Sequence, residues 1–497
     1  MRLSLVQLLL CWSALGWSGT SCGHILGIFV QVHRSQLLVY TAVARVLLQH
    51  GHQLTLITTL PLDSELELDG NLTHILVPWK QSAENANLSK DLFTRLQRTY
   101  ERLEDAEQLL NEPEWQAFMA HNPTPAYDLL LLGYHFNDHL LGVAAHFNCP
   151  VAIITTQQPI SFVHSLLGNP EERWYVPQPY DKRQRTGWRA LAFGVWEKAT
   201  ELMARRVMRR IYSKHFSPSH YPSFDQMRQR VVLALNNHHM ISEGPIAPLL
   251  PNMLDIGGIC MEQGLKAIDT DIGYTRPFIY FSLGTRFSWH TVPSDFVAIF
   301  VEAFAQLPDY DIYWTYDGSN DSVSSISGTH SNIKLSQWWG QQQLLASGQI
   351  QLFITHGGKG SLTEALYYGV PMLGLPFLGD QHTNLRRMSR KGWGLYRNPR
   401  NLSSASLLTA LRELLMVSQY RENIRSSSRL YRDRPLNASA LTAYWLEYVM
   451  RHDGATHLHN PGRMLNWWQY YLLDVYATIY GCLLAVIIIL RHLDGRT

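Results

Sequence analysis

Cysteine is scarce in this chain of 497 residues, and the five present are poorly placed for cross-linking. Cys11 and Cys22 fall in an apolar leader and Cys482 in an apolar run near the C-terminus, which leaves only Cys149 and Cys260 in the body. A disulfide framework is therefore excluded, and the fold has to be held by its cores. An excess of one charge is also missing. Forty-two Lys and Arg against 40 Asp and Glu give a net charge of +2, with no electrostatic footprint for nucleic acid or a strongly acidic partner. No convincing set of metal-ligand spacings occurs either, so neither a metal nor an organic cofactor is expected. What is abundant is apolar material. At 46% hydrophobic residues the chain can bury large cores, and its length suits two or three domains.

Both ends carry membrane or targeting signals. Met1-Arg2, an apolar stretch from Leu3 to Trp17 and small residues up to Gly23 read as a removable signal peptide over 1–23. Near the other end, Val475 to Leu490 is apolar, preceded by Trp467, Trp468, Tyr470 and Tyr471 and followed at once by Arg491. Aromatic belt and basic stop predict a single span over 470–490 with a short cytoplasmic tail at 491–497. The body would then lie on the lumenal side, where the sequons at Asn71, Asn87, Asn320, Asn401 and Asn437 are candidate glycosylation sites.

The body reads as α/β. Strand candidates at His24 to Val30, Leu54 to Thr58, Tyr127 to Leu132, Val151 to Thr155, Val231 to Leu235 and Met240 to Ser242 alternate with helical spacing, beginning with Gln36 to His50. This order predicts a parallel sheet with right-handed crossovers. Glu84 to Met119 and Lys182 to Arg230 read as irregular helical additions to the sheet edge. A Pro-rich run from Pro245 to Pro251 precedes a linker, and the β/α pattern restarts at Phe278. The expected units are an N-terminal domain at 24–260, a linker at 261–276, a C-terminal domain at 277–448 and a juxtamembrane segment at 449–469. Two such domains facing a cleft make a natural two-substrate site.

The densest stretch runs from Trp338 to Gln381. A strand ends at His356, a Gly357-Gly358 turn follows, and a helix is expected to open at Ser361. A helix N-terminus just past a glycine turn aims free backbone N–H groups at an anion. Around it stand an indole able to stack on a base (Trp338), an amide (Gln341), a histidine within reach of a phosphate and a carboxylate able to accept two ribose hydroxyls (Glu364). Ser361-Leu362-Thr363-Glu364 reads equally as a capping box that needs no ligand.

The joint spacing of Trp338, His356, Glu364, Asp380 and Gln381 resembles the donor-binding signature of the UDP-glycosyltransferases, the group that includes UDP-glucuronosyltransferases. Tyr280-Phe281-Ser282-Leu283-Gly284-Thr285, Gly257-Gly258, Tyr368-Gly369-Val370-Pro371 and Tyr471-Leu472-Leu473-Asp474 are similar to the same family. The resemblance implies a GT-B fold of two Rossmann-like domains facing a cleft, with a UDP-sugar in the C-terminal domain and a small lipophilic acceptor in the N-terminal one. It places uracil on Trp338 and Gln341, ribose on Glu364, and diphosphate at His356, Gly358 and Ser361. Sugar hydroxyls fall to Asp380 and Gln381, and Ser282 and Thr285 lie on a loop approaching the phosphates. It also implies an endoplasmic-reticulum membrane location, single-pass type I, and allows assembly with itself or with related transferases. Gly340, Ser347, Gly348 and Gly360 depart from common residues of the signature. Asp269-Thr270-Asp271, a triplet that holds metal in another transferase class, reads as a solvated linker.

One departure concerns catalysis. Family members place a general-base histidine at the start of the first helix, and here that position is Gln36. The acidic partner position, five residues after Asp128, is Gly133. An amide has no titratable site near neutral pH. His33, His135 and Asp138 are candidate substitutes, an acceptor that is already ionised would need no base, and a UDP-sugar-binding protein with a regulatory or partner role is the alternative.

Overall fold

The computed structural model describes residues 22–494 apart from 31–32, 80–91, 121–126, 173, 177–185, 244–246, 265–275, 286, 319–325, 327 and 378–379. The leader, Asn87, Asn320, Asp269 and Asp271 thus lie outside the described residues.

Thirteen strands among the described residues form two sheets, and every pairing is parallel. The first contains β1 (His24–Phe29), β2 (Gln53–Thr58), β3 (Leu72–Leu76), β4 (Leu129–Gly133), β5 (Val151–Thr155), β6 (Val231–Asn236) and β7 (Met253–Asp255), in the order β3-β2-β1-β4-β5-β6-β7. The second contains β8 (Phe278–Ser282), β9 (Asp311–Thr315), β10 (Ile333–Ser336), β11 (Ile350–Thr355), β12 (Met372–Gly374) and β13 (Gly394–Tyr396), in the order β10-β9-β8-β11-β12-β13. Both are doubly wound sheets. In each, chain direction across the sheet reverses between two central strands, β1 and β4 in the first and β8 and β11 in the second. Ligands of such sheets bind outside the carboxyl ends of the strands at that crevice.

The central strands are apolar on both faces because each face is covered. Alternate residues of β4 enter different clusters: Leu130 and Leu132 pack with Leu26 and Ile28, whereas Leu129 and Leu131 pack with Ile25 and Phe29. The helices used below are α1 (Arg34–Gln49), α2 (Ser161–Leu167), α3 (Trp188–His215), α4 (Met240–Glu243), α5 (Gln341–Ala346), α6 (Lys359–Tyr368), α7 (Gln381–Arg390), α8 (Ala438–Arg451) and α9 (Leu473–Asp494).

Four expectations need correction. Met240 to Ser242 is not a strand but the short helix α4, because His239 captures the local backbone: its Nδ1 accepts from the Ile241 N–H at 3.1 Å and its carbonyl from the Ser242 hydroxyl at 3.0 Å. The segments read as edge additions instead cover a face, since Leu103, Leu109, Trp115 and Phe118 join the core beneath β1, β4 and β5. Residues 438–448, expected with the C-terminal domain, belong to α8, which crosses back: Leu446 and Val449 pack with Val43 and Leu47 of α1. The apolar terminal helix runs from Leu473 to Asp494, three residues later at its start than the expected 470.

Glu447 secures the crossing. Its carboxylate meets His50 at 2.9 Å, His52 at 3.5 Å and Arg451 at 3.0 Å, while His52 Nδ1 accepts from the Gly23 N–H at 3.1 Å. At 22 residues, α9 is long enough to cross a bilayer, about 33 Å at 1.5 Å per residue, and its side chains are exposed.

Burial holds several imidazoles below their ordinary value of 6.5: His52, His135 at about 4, His139 at about 3 and His239 at about 3. They are neutral in the fold near pH 7, whereas their unfolded counterparts bind protons near pH 6.5. The stability they contribute is present above that pH and is lost as pH falls toward 4. The melting temperature of the chain is expected to drop between pH 7.5 and pH 5.5 in a thermal-denaturation series, and an unchanged or higher value at pH 5.5 would contradict this.

Candidate active site

The second crevice collects nearly all the residues singled out for a nucleotide. β8 ends at Ser282, whose hydroxyl accepts from the Gly284 N–H at 3.4 Å, and Thr285 is exposed at the turn. β11 ends at Thr355, so His356 projects from the same carboxyl edge. Its imidazole lies between two glycine backbones. A Cβ on Gly284 would stand 2.4 Å from His356 Cε1, and one on Gly358 would stand 2.4 Å from Nε2. Gly284 also has φ +78°, a region closed to most side chains. Burial lowers the pKa of His356 to about 4, so the ring is neutral, and its buried Nδ1 has no partner among the described residues.

The helix α6 begins two residues earlier than expected. Gly358 is its N-cap and Ser361 its third residue, so the Ser361–Glu364 capping box does not form. The first helical bond, Leu362 N–H to Gly358 O at 3.0 Å, leaves the preceding N–H groups of the first turn facing the crevice side of the turn without helical partners. Glu364 is instead clasped by side chains of α5. Gln341 Nε2 donates to one oxygen, Gln342 Nε2 donates to the other at 3.1 Å, and Gln341 Nε2 also lies 3.4 Å from the Ser361 hydroxyl. Burial raises the Glu364 pKa, and the two amide bonds oppose that rise.

The two adjacent indoles have separate tasks. Trp339 Nε1 donates to the Trp314 carbonyl at 3.1 Å and its ring packs edge-on to Tyr313, which makes it a core residue. Trp338 is 61% exposed, and the Arg34 guanidinium of α1 lies 5.3 Å from its ring centroid. Asp380 is exposed at the N-cap of α7. Its carboxylate accepts from Asn384 Nδ2 at 2.8 Å, and that amide also donates to the Gly357 carbonyl at 3.2 Å. Gln381 Oε1 accepts from the Phe377 N–H at 2.8 Å. Sequence reading missed Gln342, Asn384 and Arg34. Asn384, one helical turn from Asp380, was the most accessible of these.

The first crevice faces it from the other sheet. Gln36, expected at a base position, is occupied as a capping residue: its Oε1 accepts from the His33 N–H at 2.9 Å and its Nε2 reaches Thr156 Oγ1 at 3.5 Å. Gly133 ends β4 beneath the stacked rings of Phe29 and Tyr40, whose centroids are 4.9 Å apart. A Cβ there would stand 2.9 Å from Tyr40 and 3.2 Å from Phe29. Asp138, a candidate substitute, is fully buried and paired with the Arg228 guanidinium, so it is not free to orient a histidine. His33 and His135 lie within electrostatic reach of each other, and His135 is neutral, held at about 4 by burial first and then by Arg102 and His33. Among the described residues no cluster of three or more His, Cys, Asp or Glu could hold a metal ion.

The two domains meet beside these crevices. Lys359, first residue of α6, pairs with Glu243 of α4 at 2.8 Å and donates to the Asn237 carbonyl, and Lys391 Nζ donates to the Ile241 carbonyl at 2.7 Å.

Two doubly wound sheets whose carboxyl edges share a cleft define a glycosyltransferase of the GT-B fold, and solved structures agree. A glycotransferase of kitacinnamycin superposes with a TM-score of 0.57 at 17% identity, covering 85% of this chain and 98% of that one. A Phytolacca americana UGT2 complexed with UDP-2-fluoro-glucose and pterostilbene gives 0.54 at 15% identity, covering 87% and 100%. The family described as UDP-glucoronosyl and UDP-glucosyl transferase matches residues 203–493. A UDP-glycosyltransferase UGT5 of Dactylopius coccus is 30% identical over 382 residues, 75% of this chain and 71% of its own. Human UDP-glucuronosyltransferase 2B15 is 34% identical over 248 residues, 49% of this chain and 45% of its own. The chain belongs to the UDP-glycosyltransferase family.

Gly133→Ala already forces a Cβ against Tyr40 and is expected to destabilise the fold by about 1–3 kcal/mol, the usual cost of overpacking. Gly133→Asp should cost more, because it also desolvates a carboxylate. Urea denaturation measures both, and a neutral Gly133→Asp would show that Tyr40 yields freely.

Proposed function

We propose that the chain transfers a hexosyl or glucuronosyl group from a UDP-sugar to a small lipophilic acceptor whose attacking atom needs no general base. The donor half of this reading rests on the second crevice. Uracil takes the exposed face of Trp338, Glu364 accepts the ribose hydroxyls, and the diphosphate sits at the N-terminus of α6 with His356 and Ser361. Ser282 and Thr285 approach the phosphates from β8, while Asp380 and Gln381 hold the sugar. The neutral His356 donates one N–H to a phosphate oxygen, and the helix N-terminus offers fixed dipoles where charge collects on departing UDP. No metal or organic cofactor is proposed.

The acceptor half rests on a single observation: the Gln36 carboxamide oxygen is already engaged by the His33 N–H. A carboxylate or free amine attacks the anomeric carbon with its own lone pair as the C1–phosphate bond breaks. A phenol or alcohol must also lose a proton, and Gln36 cannot take it. A second reading, a UDP-sugar-binding partner or regulatory subunit with no turnover, is favoured by Gly133, where Tyr40 and Phe29 occupy the space an acidic partner would need. Membrane anchoring by α9, a lumenal site in the endoplasmic reticulum and glycosylation at the exposed Asn71, Asn401 and Asn437 complete the proposal, with assembly among related chains left to the same setting.

Transfer from UDP-glucose and UDP-glucuronate to matched phenol, amine and carboxylate acceptors tests it. General-base catalysis is worth about 10²–10⁴-fold, so phenols should turn over at least about 100-fold more slowly than carboxylates. Equal rates on phenols would defeat the acceptor half, and absence of turnover on every acceptor with UDP still bound would establish the second reading.

A further inference from the structure

Outside the cleft, α3 carries an apolar face that nothing covers. Trp188, Leu191, Val195 and Leu202 recur at helical spacing on one side of the helix, and all are exposed, Val195 by 73%. The opposite side, with Ala190, Gly194, Glu201 and Ala204, is buried. The stripe is confined to the first half of the helix. Beyond it the outward residues are basic and paired, Arg209 with Asp225 at 2.7 Å, Arg210 with Glu104 and Lys214 with Glu107 at 2.5 Å. Solvation explains that second half and leaves the first unexplained, since a large contiguous apolar face on a soluble surface marks an interaction site.

The stripe is continuous with the approach to α9. The Gly187 N–H at the start of α3 donates to the Trp174 carbonyl at 2.7 Å, and Trp174 and Tyr175 are both exposed. A few residues upstream, Asn460 Nδ2 donates to the Gly168 carbonyl at 2.6 Å, and the Arg463 stem lies against Gly168 just past α2. Tyr470 is within electrostatic reach of Glu171 and Glu172. The segment leading to α9 therefore lies against the loop that precedes α3, and it adds its own exposed Met464, Leu465, Trp468 and Tyr471.

We propose that the first half of α3, together with Trp174 and Tyr175, lies in the interfacial layer of the same lipid bilayer that α9 spans. This rests on reading α9 as a membrane span. Indole and phenol rings suit the headgroup level, and an amphipathic helix lying in the interface plane buries just such an apolar stripe. The N-terminal domain is thereby held against the membrane at a second place, and its orientation relative to the lipid surface is fixed by two contacts rather than one tether. A lipophilic acceptor dissolved in the bilayer would then meet the domain that is proposed to bind it.

Spin labels on the full chain reconstituted in phosphatidylcholine vesicles test this. With Cys22→Ser and Cys482→Ser removing exposed thiols, nitroxides are placed singly at Val195→Cys, Leu191→Cys, Ile487→Cys and Met416→Cys. Relaxation by oxygen and by a water-soluble nickel chelate is then compared. Positions 191, 195 and 487 should be oxygen-dominated, as lipid-exposed sites are, and position 416 nickel-dominated. Nickel-dominated labels at 191 and 195 with an oxygen-dominated 487 would overturn the proposal while leaving the span intact. A nickel-dominated 487 would remove the span and the proposal with it. Dipolar broadening at 195 that persists on dilution with lipid would assign the stripe to a second copy of the chain and equally overturn it. UDP binding by each labelled chain checks that the fold is retained.

Discussion

The donor edge depends on one close approach. His356 leaves the end of β11 and lodges between the backbones of Gly284 and Gly358, each placed so that an added Cβ would fall 2.4 Å from the ring. That contact ties the carboxyl ends of the two central strands of the second sheet to the first turn of α6. It also fixes where the free N–H groups of that turn point. Asn384 extends the arrangement by bonding both Asp380 and the Gly357 carbonyl. Glu364, one turn down α6, is aimed by two glutamines of α5. The residues proposed to contact base, ribose, diphosphate and sugar are thus held by rigid elements or by hydrogen bonds, which is the condition for preorganised binding.

The facing edge is built differently. At the corresponding crevice of the first sheet, the side chain at the helix start caps the helix, and the strand end is packed under aromatic rings. Both arrangements stabilise the N-terminal domain without offering a proton acceptor. The contrast is physical: one crevice keeps unpartnered polar atoms such as His356 Nδ1, and the other uses Gln36 and the space above Gly133 for folding. Between them Arg34 leaves the first domain and rests over the Trp338 ring of the second. A base stacking on that face has to displace a cation–π contact, so donor binding and the seating of α1 are linked.

Much of this was legible in the sequence. The long apolar strands β1, β4, β5, β6, β8 and β11 announce themselves because burial on both faces demands continuous apolar runs. The edge strands β3, β7, β10 and β13 were invisible, since they are only three to five residues long and partly exposed or polar. The glycine turn after His356 was readable as an anion site, but its register was not. Gly358 caps α6, and a Ser-x-x-Glu pattern that looks like a cap lies inside the helix instead. The crossing of α8 could not be read either, because an amphipathic pattern says which face is buried and not against which domain. Tyr40 over Gly133 and Gly284 against His356 are contacts between distant segments, which no local pattern encodes.

The central claim is that the second crevice is a ribonucleotide site in which Glu364 reads the ribose. Titration calorimetry of the full chain with UDP and with 2′-deoxy-UDP tests it directly. Hydrogen bonds to a charged group are worth about 1.5–3 kcal/mol, so UDP should bind at least about 10-fold more tightly than its deoxy analogue. Glu364→Ala should bring the two affinities together. Equal affinities in the unaltered chain, or a preference that survives Glu364→Ala, would contradict the account.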